Sequence, residues 1–395
     1  MAGADPGRPR QSVRVAPFRA ILSGFAATRL ALFALATFAV LHLPIDAGEV
    51  QRAFHLPPQP HAFLEAWARY DACWYVTIAQ SGYTASTIGS YPDMRSALFP
   101  LFPALVTILT PVTRNAMLAG LIVSNACLLI FLVLLWQIVR LDWSADVARR
   151  AVWVYLLFPS AFFLSGVYSE SVLLATTAGA LLAARLERWI VAGVLAGVAV
   201  LARPVGAMAI VPVLFEFLSR SGAASPSAGP AGVRRSPALL VGTLTPTLIA
   251  VAGYLVFAAA TFGDPLATLD GQASVRGPLG PPWRPFIELW QQGAQLHSFD
   301  HSIIDALLAV VAVATVPLIY TRVRASYACY ACLIVLIPLS GTLISFNRLL
   351  LPSFPHAILL AQIAKRPLAV AAIFVPLGVL EAILMAAFAT WHWVA

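Results

Sequence analysis

Apolar runs recur along this 395-residue chain, each bounded by polar, basic or proline-rich stretches. A helix of about 20 apolar residues crosses the hydrocarbon core of a bilayer. The pattern predicts a first span over about 20–43, then an outer segment 44–97. The stretch 97–111 is apolar but short and proline-broken, which predicts a juxtamembrane or re-entrant element. A span follows at about 116–139. The segment 151–184 lies between two basic clusters, so it is read as two short helices, out and back, turning near residues 165–171. Further spans are expected at about 189–202, 205–218, 238–261, 303–320, 327–344, 349–364 and 368–390. The expectation is about eleven spans in one domain, 20–395, after a basic tail, 1–19. The stretch 219–237 is rich in Ser, Gly and Pro and reads as a linker. A second large outer loop runs over 262–301. No repeat of fixed period is present, which argues against an inverted-repeat transporter.

Charge gives the orientation. Four arginines precede Ile21, and Arg140, Arg149, Arg150, Arg185, Arg188, Arg322, Arg324, Lys365 and Arg366 flank alternate run ends. Basic loops mark the cytoplasmic side, so the N-terminus is expected there. The first run is too long for a signal-peptide core and has no small-residue cleavage site after it, so it reads as a retained span in the cell membrane.

Composition agrees with the pattern. Hydrophobic residues make up 60% and charged residues 11%, and mean hydropathy is +0.84. A soluble domain carries about 25% charge. The net charge of +8 is mostly arginine. It suits topology and anionic lipid more than nucleic acid, since no basic cluster is interleaved with aromatics on a soluble module. Cys329 and Cys332 form a C-x-x-C within an apolar helix and read as buried small residues. His55, His61, His297 and His301 lie in the expected outer loops and are not expected to hold zinc. Neither a phosphate-binding G-x-x-x-x-G-K-[ST] loop nor a G-x-S-x-G elbow is present.

The polar exceptions then stand out. Asp71, Glu170, Arg203, Asp264, Asp270, Gln272 and Arg348 all fall at expected outer ends or in outer loops. Ionisable groups near membrane depth are costly, so a cluster at one level suggests a site. The set suits transfer from a phosphate-bearing donor. A carboxylate takes the proton of an acceptor hydroxyl, and arginine matches phosphate oxygens and stays charged. Trp74 and Tyr75, beside Asp71, suit either a sugar face or the interfacial aromatic belt. Tyr168 lies in the turn before Glu170. A transporter or lipid flippase is the alternative, but it predicts acids at mid-membrane in two matched halves. An inactive scaffold is the third reading.

The motifs "RYDACWYVTIAQSGY", "ALFPLFPALV", "FPSAFFLSGVYSESVLLA", "LARPVG", "FGDPLATLDGQ" and "FNRLLLPSFP" occur in this order. Together, over about residues 65–365, they resemble the bacterial relatives of the GPI-anchor second-mannose mannosyltransferase, the PIG-V family. That resemblance implies an all-α, polytopic, GT-C-like membrane glycosyltransferase. It implies inverting transfer of a sugar, typically mannose, from a polyprenyl-phosphate donor on the extracytoplasmic side. Asp71 matches the expected catalytic base and Glu170 the second acidic position. Arg203 and Arg348 match basic positions suited to the donor phosphate, and Gln272 matches a loop glutamine that meets the sugar. The chain departs from its relatives at "QASVRG", where they often carry a bulky aromatic, and at "FPLFP", where Phe102 replaces a tyrosine. The acceptor stays open among a lipid-linked glycan, a glycolipid and a protein. No cofactor is expected beyond the donor, and because the acids are scattered rather than tightly spaced a divalent metal is left open rather than required.

Overall fold

The computed structural model describes residues 16–83, 94–220, 236–293 and 302–394. These form α-helices joined by short 3-10 turns and loops. In chain order the helices are α1 Phe18–His42, α2 Asp71–Ser81, α3 Leu101–Thr113, α4 Ala116–Asp142, α5 Ala145–Leu157, α6 Glu170–Arg185 and α7 Trp189–Ala202. Then come α8 Ile210–Arg220, α9 Pro237–Phe262, α10 Ala267–Arg276, α11 Arg284–Gln292, α12 Ile303–Arg322, α13 Ala325–Leu339, α14 Phe354–Ile363 and α15 Pro367–Ala389. Single helical turns at Ala47–Arg52, Ala62–Glu65 and Phe346–Leu349 sit in the connections.

Five of these, α1, α4, α9, α12 and α15, are long and apolar enough to cross a membrane. The chain is a multi-pass membrane protein. Outward-facing Leu30, Ile108, Val112 and Leu368 are exposed. In water such a belt would drive aggregation; against lipid tails it needs no partner. Most of the other expected spans are shorter helices. The segment 151–184 does turn back on itself, as α5, a 3-10 turn at Ala161–Leu164, and α6. The expected span 327–344 stops at Leu339, just after Pro338. Beyond it Ser345 takes a left-handed backbone (φ 59). Most of the linker, 221–235, and the histidines at 297 and 301 lie outside the described residues.

Helix starts are written into the sequence. Asn115 accepts a hydrogen bond from the Leu118 N–H at 2.9 Å to open α4, and Ser302 accepts one from the Asp305 N–H at 3.2 Å to open α12. Each satisfies a donor that a helix leaves unpaired. Helix contact in the bilayer depends on small residues. On α7, Gly193 and Gly197 let α9 come so close that a Cβ at Gly193 would lie 2.0 Å from the Thr243 carbonyl oxygen.

Two polar links tie the helices together at depth. Arg29 of α1 pairs with Glu381 of α15 at 3.1 Å, and it also donates to the Leu156 carbonyl at 2.7 Å. Both side chains are buried, so removing either would strand the other. At the C-terminal end of α6, Arg185 grips Asp142 with two hydrogen bonds, at 2.7 and 2.8 Å, and donates to the Tyr327 hydroxyl. Beside it, Arg324 and Ser326 donate to Glu216. The half-buried thiols of Cys329 and Cys332 lie in α13 and are free.

Candidate active site

At the opposite end of α6, residues far apart in the chain meet. Asp71 is the first residue of α2 and Glu170 the first of α6. A carboxylate there sits in the positive field of the helix N-terminus. Arg348 lies in the turn Phe346–Leu349. Its Nη1 donates to Asp71 Oδ2 at 2.7 Å and its Nε to Glu170 Oε1 at 2.5 Å. One guanidinium thus bridges both carboxylates. Arg203 donates from the other side to the same Glu170 oxygen.

Each side chain is held from behind. Arg203 is extended (φ −160, ψ 154) because Pro204 follows it and disfavours helix there. Gly206 then packs so tightly that a Cβ would lie 1.9 Å from the Ala199 carbonyl oxygen. The Arg348 turn is fixed through Asn347, whose N–H donates to Asp305 at 2.9 Å. The Asn347 side chain donates to the Val394 carbonyl at 3.0 Å, and Ser160 donates to the Asn347 carbonyl at 3.0 Å. Phe163 and Tyr168 lie beneath the Arg348 guanidinium, with ring centres at 5.0 and 4.5 Å. Such faces favour a cation. The Tyr168 hydroxyl donates to the Arg69 carbonyl at 2.9 Å.

Immediately before Asp71, Tyr70 adopts a left-handed backbone (φ 49), rare for a residue with a bulky side chain. Its hydroxyl donates to the Trp391 carbonyl at 2.9 Å. Arg69 donates to the Ala389 carbonyl at 2.9 Å and stacks on the Trp391 ring at 4.7 Å. Strain of this kind gathers where the surroundings over-determine a geometry.

The two acids are not equivalent. The Asp71 side chain keeps 31% of its exposure and Glu170 keeps 2%. Asp71 faces a cleft that also meets Tyr75, Gln272, Arg276 and Trp393. Glu170 is enclosed by arginines, and its Oε2 has no hydrogen-bond partner. So Asp71 is open to the cleft, while Glu170 meets it only through the arginines it shares.

Of the residues singled out in sequence, Asp71, Glu170, Arg203, Arg348, Tyr75, Tyr168 and Gln272 come together here. Tyr75 shares a 2.8 Å hydrogen bond with the Ser169 hydroxyl, and Gln272 donates to the Ala97 carbonyl at 3.3 Å. Trp74 does not reach the cleft: it is buried against Phe54, ring centres 4.5 Å apart. Asp264 does not reach it either, since its carboxylate accepts from the Leu266 N–H and shapes its own loop. Asp270 is exposed on α10. Sequence reasoning missed Tyr70, Phe163, Arg276, Ser345 and Trp393, which complete the cleft wall. Among the described residues no group of three or more His, Cys, Asp or Glu is placed to hold a metal ion.

This all-helical frame is similar to the crystal structure of ArnT from Cupriavidus metallidurans bound to undecaprenyl phosphate. The TM-score is 0.53 at 11% identity, over 95% of this chain and 77% of that one. It is also similar to the Archaeoglobus fulgidus oligosaccharyltransferase in its apo form (TM-score 0.46, 13% identity, 94% of this chain and 56% of that one). A third likeness is to AglB from Archaeoglobus fulgidus in complex with an inhibitory peptide and a dolichol-phosphate (0.48, 12%, 94% and 56%). No protein-family model matches the chain, and no curated protein matches it in sequence. The ArnT likeness shows the fold expected above, an all-α, polytopic membrane fold.

Proposed function

We propose that this chain is a membrane glycosyltransferase. It moves a sugar, mannose by the motif resemblance, from a polyprenyl-phosphate donor to an acceptor at the outer face of the cell membrane, with inversion. The observation that carries this reading is the Arg348 bridge between an accessible Asp71 and an enclosed Glu170, beside an open cleft. The fold likeness to a protein solved with undecaprenyl phosphate supports it. Membership of the PIG-V family and the choice of mannose rest on the quoted motifs.

In the proposed reaction Asp71 takes the proton from the acceptor hydroxyl. The hydroxyl oxygen attacks the anomeric carbon from the face opposite the phosphate. The carbon–oxygen bond to phosphate breaks and its electron pair leaves with the polyprenyl phosphate. Arg348, with Arg203 behind Glu170, steadies the charge that develops there. The acceptor is a lipid-linked glycan, a glycolipid or a protein, and no cofactor is invoked.

The test uses membranes carrying wild type, D71N or E170Q, given polyprenyl-phosphate mannose and the host's lipid extract. A new mannosylated product from wild type, abolished in D71N at equal protein level, is the expected result. Equal product from wild type and D71N sinks Asp71 as the base. No product from any of them sends the question to lipid translocation.

A further inference from the structure

Among the described residues the cleft holds more positive than negative charge. Three guanidiniums, Arg203, Arg276 and Arg348, line it with one carboxylate, Asp71, and the enclosed carboxylate of Glu170 lies behind Arg203 and Arg348. Arg203 and Arg348 are already engaged by those carboxylates. Arg276 is not. It is the last residue of α10, partly buried, and its Nη1 donates to the Ile344 carbonyl at 3.0 Å. A guanidinium has five N–H donors, so most of this fork stays unused. Burial and the like charges of Arg203 and Arg348 push the Arg276 pKa down. An uncompensated cation in a confined space is costly unless an anion joins it. The same bond that spends one donor fixes the guanidinium at the cleft wall, between Gln272 and the Arg348 loop.

We propose that Arg276 is the residue that docks the donor's phosphate, and that the cleft is matched to a singly charged sugar–phosphate diester. This rests on the glycosyltransferase reading. One surplus positive charge balances one phosphodiester charge, whereas a diphosphate-linked donor would leave the cleft negative. Arg348 and Arg203 then stay on Asp71 and Glu170 while the donor binds. Arg284 offers the internal comparison. It carries the same charge on the same outer loop, but it is paired with Glu288 at 3.3 Å and lies outside the cleft.

The experiment uses the full chain in lipid nanodiscs as wild type, R276Q, R276K and R284Q. Binding of the phosphodiester geranyl-phosphate mannose without acceptor is followed by tryptophan fluorescence, and donor KM and kcat by sugar transfer. R276Q is expected to raise the donor KM and the geranyl-phosphate mannose Kd about tenfold or more, the scale of a charge-assisted contact, with kcat little changed. R276K, which keeps the charge and loses the fork, should fall between. R284Q should match wild type. Unchanged KM and Kd in R276Q overturn the assignment and leave the transferase standing. Arg276-dependent binding of geranyl-phosphate mannose without any sugar transfer supports the phosphate site and overturns the transferase. Should R276Q fail to fold, as judged by melting, R276K decides, and an unchanged KM there overturns the assignment.

Discussion

The two ends of α6 use the same chemistry for different ends. At Arg185 a guanidinium grips Asp142, Arg324 grips Glu216, and the acids and bases balance. The Arg185 side chain has no exposure at all. At Glu170, about 22 Å away along the helix, the same residue types border a cleft, one acid stays reachable, and one arginine, Arg276, has no carboxylate among the described residues. A closed, balanced cluster holds helices together; an open cluster with charge to spare is poised for a ligand. Ion pairing alone distinguishes neither.

That contrast can be broken at either end. The largest effect is expected from D71N, which keeps shape and removes the proposed base. Transfer should fall by about 100-fold or more with melting unchanged, and a nearly active D71N would place the chemistry elsewhere. Next comes R185A, which strands Asp142 at the closed end. A loss of about 3 kcal/mol or more in stability is expected, read as lower melting in nanodiscs, with donor KM unchanged in the protein that folds. A selective loss of transfer there would erase the distinction between the ends. E170Q should be intermediate: a neutral isostere between two arginines, costing about tenfold in transfer together with some melting temperature. D264N sets the floor. Asparagine accepts the same bond from the Leu266 N–H, so neither transfer nor melting should move.

Much of this site was legible in the sequence. Asp71, Glu170, Arg203 and Arg348 stand out because charge is rare in so apolar a chain, and span counting puts them at one level. The fold class followed from the same runs. What was hidden is long-range. Tyr70, Phe163, Arg276, Ser345 and Trp393 come from five separate segments, and no local period announces that they share a cleft. Arg276 lies in "QASVRG", the stretch where the chain departs from the family it resembles. Trp74 and Tyr75 part for a geometric reason: Trp74 sits three residues after Asp71, and Tyr75 four. The second faces the cleft while the first is turned onto Phe54. Asp264 was misread because an acid in an outer loop looks free until its own backbone claims it. The expected span overran α13 because apolar residues resume at Leu343 and Ile344; the helix ends just after Pro338, and the left-handed Ser345 diverts the chain.

The shared guanidinium of Arg348 has a further consequence for timing. Its Nη1 is held by Asp71, the group that gains a proton in the proposed transfer. Once protonated, Asp71 has no charge with which to keep that arm. The arm is released in the same event that gives the departing phosphate its second negative charge. Release of one partner and demand from the other coincide without any movement of the backbone. In the proposed reaction the site would reset when that proton leaves Asp71.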